Sequence, residues 1–472
     1  MLSIPEYKSA ERVFHYFEEI SKIPHGSGET DKIAEYLVNF ANERGLFVKR
    51  DNANNVIIRK NATRGYTDRP TVIIQGHIDM VLATTADCKK DLSLEGIEMY
   101  RDGDFLKAVG TTLGGDDGVA VAYALALLES DDIPHPELEI VMTSDEEIGL
   151  LGAAALDASE LHGKVMLNID SDNENIFTAG CAGGMRIDTK ISARTEKKVT
   201  DGIKITISGF KGGHSGSHIR FPHANAIKAL GEVMAKLGGE VGALKGGNAD
   251  NAIPRNAECV IYGVDAEAAK AKAAAIIEKY REVEPEGKYE IIEGVEADVY
   301  STEVSQRIAQ LICEEPNGIV AMSEEIPGQV ETSLNMGILA CDGTGVTVSF
   351  SLRSSKGAKK AELATRVTKI AESKGAECDA HGAYPGWEYR KESPLRDTIC
   401  EVYKRMYGKD AKVVTIHAGL ECGIFSDKIE GLDCISLGPD MKDIHTTSER
   451  LSLPSAERTW RLLCEILASI KE

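Results

Sequence analysis

The chain opens on an amphipathic pattern. Val13, Phe14, Tyr16, Phe17 and Ile20 recur at helical spacing with acids between them, which predicts a helix with one buried stripe. A second helix is predicted over 30–41 (TDKIAEYLVNFA). Short β-branched runs at 56–58 and 71–75, each bounded by polar turn residues, read as strands. Residues 119–128 are almost wholly apolar, as a helix buried on all sides must be. Two more apolar runs, 138–143 and 164–170, complete an alternation that predicts an α/β sheet. Ligands of open α/β sheets sit past the carboxyl ends of the strands. Acids recur in that position here: Asp79, Asp145 to Glu147 and Asp170 each stand just beyond a predicted strand.

From about Lys190 the texture shifts to strands at 204–210, 257–264 and 346–352, with helices near 224–237, 266–280 and 360–373. This order predicts a second domain of α+β type, its helices packed on a mostly antiparallel sheet. After Tyr384-Pro385-Gly386 the α/β texture returns, with a helix over 394–407 and an apolar run at 432–437. The expected organisation is an insertion: one domain made of 1–190 and 384–472, interrupted by another at 191–383.

A length of 472 residues agrees with two or three domains. Hydrophobic residues at 42% and charged residues at 27% describe a soluble globular chain. The net charge of −21 argues against nucleic acid or an anionic membrane as partner, since both require a basic face. No apolar stretch reaches the ~20 residues needed to span a bilayer. The first helix lacks the basic start and continuous apolar run of a signal peptide. Ten scattered cysteines form no C-x-x-C pair, which suits a reducing compartment, so a cytoplasmic location is expected.

Five short segments carry candidate chemistry. His77 and Asp79 lie two apart after a predicted strand, where residues i and i+2 share a face; alone, the pair also fits an ordinary surface turn. Thr112 to Gly118 (TLGGDDG) opens the apolar helix, and Asp116 or Asp117 could cap that helix while the other is free for a metal. Asp145, Glu146 and Glu147 repel one another unless water or a cation neutralises them. Asp170 and His445 follow further apolar runs, and each in isolation fits a structural role as well. Together, two histidines and several acids suit one or two divalent ions such as Zn²⁺ or Mn²⁺. A two-metal hydrolase needs about one histidine and one further carboxylate per ion plus a shared acid. His77, Asp116, Glu147, Asp170 and His445 match that stoichiometry and leave Asp79 and Glu146 over as an orienting acid and a general base.

The motifs GHIDMV, TLGGDDG, SDEEIG, NIDSD, FKGGHSGSHI, NAIPR, GAYPGW, HAGLECG and IHTTSER run in order along nearly the whole chain. This set resembles the bacterial aminoacyl-histidine (Xaa-His) dipeptidases, peptidase D or carnosinase-like enzymes. They belong to the co-catalytic zinc peptidases that include carboxypeptidase G, aminoacylase and tripeptidase T. The resemblance implies an α/β catalytic domain, a mixed central sheet flanked by helices, with an inserted α+β lid domain. It implies two Zn²⁺ per subunit, with Mn²⁺ or Co²⁺ as substitutes, held by His77, Asp116 as bridge, Glu147, Asp170 and His445. By the same resemblance Asp79 orients His77, Glu146 is the general base, and His214 of KGGHSG stabilises the oxyanion. Arg353 becomes a candidate for gripping the substrate's carboxylate, and His417 and Glu421 for lining the substrate cleft. The implied partners are small peptides and a second copy of the chain bound through the lid. The implied reaction is dipeptide hydrolysis of Xaa-His type. An N-acyl amino acid amidohydrolase, a tripeptidase, or a catalytically silent peptide-binding protein are the alternatives. One departure stands out: Thr-Thr-Ser-Glu-Arg follows His445, where the subgroup usually has Ser-Pro-Asp-Glu.

Overall fold

The apolar runs near the N-terminus pair at the centre of an eight-stranded mixed sheet in the computed structural model, which describes residue 4 and residues 6–470. Leu138–Thr143, Val72–His77, Val165–Asn168 and Asp433–Ser436 are consecutive parallel neighbours. Val56–Lys60 and Phe47–Arg50 extend the sheet antiparallel on one side. Every residue of Val72–His77 and of Leu138–Thr143 is buried, as expected for strands covered on both faces. The helix Gly115–Glu129 is buried from Gly118 to Leu128 and packs on Val72–His77. Its outer side carries the helix Glu11–Ser21, whose Phe17 comes close because residue 118 is a glycine: a Cβ there would lie 3.2 Å from the Phe17 ring.

The described residues of Met1–Gly180, Tyr389–Thr415 and Leu420–Glu472 form one unit, and Cys181–Glu388 with Ile416–Gly419 form another. The first unit thus ends ahead of the change of sequence texture near Lys190. The reason is pairing: Gly183–Ser192 lies beside Gly345–Ser354 in the second unit's sheet. That nine-stranded sheet is antiparallel throughout its main ladders. The helices Ala226–Leu237, Ala266–Tyr280, Thr302–Glu314 and Gly357–Ser373 share its apolar core, an α+β arrangement. The strand Lys288–Val299 has no counterpart among the sequence expectations, because its residues are mostly exposed and show no apolar alternation.

Candidate active site

Parallel neighbours bring their carboxyl ends to one edge of the first unit's sheet. His77 is the last residue of its strand and stands opposite Thr143, the last of the next. Gln75 stands opposite Asn168, the last residue of the third strand. The 145–147 acids and Asp170 therefore emerge side by side. Asp116 reaches the same place from the start of its helix, joined to Asp117 by a cis peptide bond. His445 arrives from the loop between Met441–Lys442 and Arg450–Ser452, which pair with each other. Gly76 between Gln75 and His77 leaves room for these neighbours: a Cβ there would lie 2.4 Å from Ala120 Cβ and 2.5 Å from Asp117 Oδ2.

Asp116 is the common member of two triads. His77, Asp116 and Asp170 hold one potential ligand atom each within 4.8 Å of one another, and so do Asp116, Glu147 and His445. Asp116 Oδ1 lies 3.2 Å from His77 Nε2 and its Oδ2 lies 3.2 Å from His445 Nε2. A third group contains His77, Glu146 and Glu147. His77 Nδ1 turns away from this cluster, 3.0 Å from the carbonyl of Asp79 and 3.3 Å from its Oδ1. The contacts select the tautomer with hydrogen on Nδ1, leaving the Nε2 lone pair toward Asp116.

The electrostatics ask for a cation. Two like charges ~4 Å apart repel by ~4 kcal/mol at an effective dielectric constant of ~20, so these acids cannot all ionise unaided. Burial pushes Asp170 well above the ordinary carboxylate value, and the Asp116 and Glu146 charges add to the push. Burial also brings Glu146 up to about 8 against the pull of His77. For Asp116 burial acts upward too, but the bonds from His445 and His77 outweigh it and hold the group low. Burial disfavours a charged His77, yet Asp116 and Asp79 hold its ring well above the usual value. Contacts with Asp116 and Glu147 bring His445 up to about 10. Protons on the two rings here supply the positive charge that a divalent ion would bring. Glu147 Oε1 is buried without a hydrogen-bond partner, although His445 Nε2 lies 2.7 Å away. A tetrahedral ion with bonds of ~2.0–2.1 Å spaces its ligand atoms ~3.3 Å apart, so the 3.2 Å separations across Asp116 fit a metal pair.

The chain builds supports that sequence reasoning missed. Glu449 accepts backbone N–H groups from Leu113 (2.7 Å), Gly114 (3.1 Å) and Gly115 (2.8 Å), so a remote carboxylate serves the helix start next to Asp116. No side chain caps that helix at Gly114; Asp117 instead accepts the His77 N–H at 3.2 Å. Asp79 Oδ2 accepts from Ser27 Oγ at 2.8 Å and its Oδ1 from the Glu146 N–H at 3.0 Å. Gly28 N–H donates to Asp145 at 2.7 Å. Asp145 and His445 have φ of 51° and 64°, a left-handed conformation that non-glycine residues rarely hold and that gathers at functional sites. Only Glu449 carried a sequence signal, its place in IHTTSER. Nothing local marks Ser27 or Asp117 for these contacts.

The second unit holds three more of the candidates. His214 lies in a short ladder that pairs KGGHSG with NAIPR, opposite Ala252. Its Nδ1 accepts N–H groups from Gly216 and Ser217, both at 3.2 Å, so the proton sits on Nε2. Arg353 is opposite Ser333 in the sheet and donates to the Tyr384 hydroxyl at 3.1 Å. Its Nε is buried with no hydrogen-bond partner among the described residues. His417 Nε2 lies 2.8 Å from Ser333 Oγ, and burial, reinforced by Arg353, brings its ring down to about 4. Glu421, expected to line a cleft, is fully buried in the first unit beside Gln75 and Thr143, and burial raises its carboxyl to about 7.

A model of peptidase family M20/M25/M40 matches residues 73–469. The cytosol non-specific dipeptidase of Escherichia coli (strain K12) is 33% identical over 477 residues, covering 98% of this chain and 98% of that protein. The crystal structure of aminoacylhistidine dipeptidase from Vibrio alginolyticus superposes with a TM-score of 0.91 at 32% identity, over 99% of this chain and 100% of that one. A tripeptidase from Staphylococcus aureus, at 17% identity and a TM-score of 0.58 over 98% of each chain, shares the fold.

Proposed function

The chain belongs to peptidase family M20/M25/M40, and on that premise we propose that it hydrolyses dipeptides, Xaa-His among them, with a pair of Zn²⁺ ions. The observation that carries the reading is Asp116 shared between two imidazole-carboxylate triads. His77 and Asp170 would hold one ion, Glu147 and His445 the other, and Asp116 both. Mn²⁺ or Co²⁺ suits the same mixed nitrogen and oxygen donors.

When bound, such a pair polarises the scissile carbonyl and acidifies the attacking water. The chain's own residues do the rest. Asp79 fixes the His77 ring through Nδ1, which sets its tautomer and basicity. Glu146 takes a proton from the attacking water and returns it to the leaving amine, a transfer typically worth 10²–10⁴-fold. Its carboxyl, raised by burial, is a base strong enough to hold that proton between the two steps. His214 donates from Nε2, the tautomer its own contacts select, to the developing oxyanion. Arg353, with an unused Nε–H, takes the substrate's carboxylate. The cytosolic naming of the Escherichia coli dipeptidase supports a cytoplasmic location.

A dipeptide panel on metal-stripped and zinc-reconstituted protein tests the proposal. Glycyl-histidine should be cleaved only after reconstitution, and acetyl-histidine poorly throughout. Preference for the acetylated compound would make the chain an N-acyl amino acid amidohydrolase and refute the dipeptidase assignment.

A further inference from the structure

Beneath the acids lies a buried polar network that the proposed chemistry does not use. Glu421 begins the helix Glu421–Lys428 and is fully buried. Its Oε2 accepts from Gln75 Nε2 at 2.5 Å and from Thr143 Oγ1 at 2.7 Å. Gln75 Nε2 also reaches Thr143 Oγ1 at 3.2 Å, and Gln75 Oε1 accepts from Asn168 Nδ2 at 2.6 Å. All four side chains are shielded from solvent. Buried amides and hydroxyls lose about 1–3 kcal/mol when left without a partner, so each member holds the others to one geometry.

The position of the network gives it a purpose. Thr143 and Asn168 are the last residues of their strands, and Gln75 lies two before His77, on the same face. One carboxylate therefore ties together the ends of the three parallel strands that lead into His77, the 145–147 acids and Asp170. We propose that Glu421 is a positioning residue of the metal centre, setting the spacing of these strand ends through hydrogen bonds to Gln75 and Thr143, with Asn168 closing the network. The proposal rests on the reading of those acids and His77 as metal ligands. Both donors address the same oxygen, Oε2, while Oε1 has no hydrogen-bond partner among the described residues. A glutamine can accept both bonds with its amide oxygen; leucine can accept neither.

The test compares Glu421→Gln, Glu421→Leu and Thr143→Val for zinc affinity by titration of the metal-free protein, for kcat and KM, and for unfolding temperature. Glu421→Leu should bind zinc about 10–100-fold more weakly and lose kcat with little change in KM, the range seen when partners of metal ligands are removed. Thr143→Val should shift both in the same direction by about tenfold or less. Glu421→Gln should stay within about threefold of the parent, because it keeps the hydrogen bonds. A Leu variant that loses unfolding temperature but keeps zinc affinity and kcat would overturn the proposal. So would a Gln variant as impaired as the Leu one, since charge would then be what matters. Should Glu421→Leu fail to fold, unaltered affinity and kcat in Thr143→Val overturn it instead. Failure of the parent protein to bind zinc at all would sink the metal-site reading, a different outcome from intact variants of a zinc-binding parent.

Discussion

The same residue type is driven in opposite directions in the two units. At the sheet edge of the first, carboxylates outnumber imidazoles and contacts with Asp116 and Glu147 push His445 up to about 10. In the second, burial and then Arg353 bring His417 down to about 4, and the same two influences lower His214. The first environment gathers positive charge; the second keeps its rings neutral beside a guanidinium whose Nε is unpartnered. Each suits one half of a peptidase's task. A crowd of acids holds cations, while an arginine and neutral rings face anions, namely a substrate carboxylate and a developing oxyanion.

That contrast predicts that changes in the first unit act on metal binding or kcat, and changes in the second on KM or the transition state. The largest effect falls on Glu146→Gln, for which turnover of glycyl-histidine should drop about 10²–10⁴-fold. Its metal content, measured by elemental analysis, should stay that of the parent. Arg353→Met comes next. Losing a charge-assisted bond worth about 1.5–3 kcal/mol should raise KM about 10–150-fold with zinc affinity unchanged, and an equal fall in zinc affinity would erase the division of labour. Ser27→Ala removes one donor to Asp79 and should lower kcat by about tenfold or less, measured at saturating dipeptide.

The smallest effect concerns acid stability. His417 has a folded value near 4 against an ordinary 6.5, so below pH 6.5 the unfolded chain binds more protons and stability falls as pH falls. At pH 5 this amounts to about 2 kcal/mol. His417→Gln should narrow the gap between urea midpoints of the metal-free protein at pH 7 and pH 5 by that amount. An unchanged gap would place His417 in a wetter environment than the comparison assumes.

Much of the metal-site geometry was legible in the sequence because of one regularity: parallel strands deliver whatever follows them to a common edge. His77, Asp170 and the 145–147 acids could be grouped from strand-end position, and Asp116 and His445 from the motif set. What stayed hidden was long-range. Glu449 serves backbone groups at 113–115 from the far end of the chain, and Ser27 reaches Asp79 from a loop with no distinguishing composition. Glu421 stands in a motif that marked it for a cleft, yet it lies in the core. A motif singles out a residue without saying whether it meets substrate or other side chains. The long strands of the second unit escaped for a simpler reason: Lys288–Val299 is largely exposed, so no apolar alternation betrays it.

The most direct test titrates the metal-stripped chain with zinc, following heat of binding and glycyl-histidine hydrolysis in parallel. The account predicts no hydrolysis without metal, two bound ions per chain, and full turnover only when both are present. Undiminished turnover in the metal-free protein, or saturation of activity with no ion bound at the Asp116 triads, would contradict it.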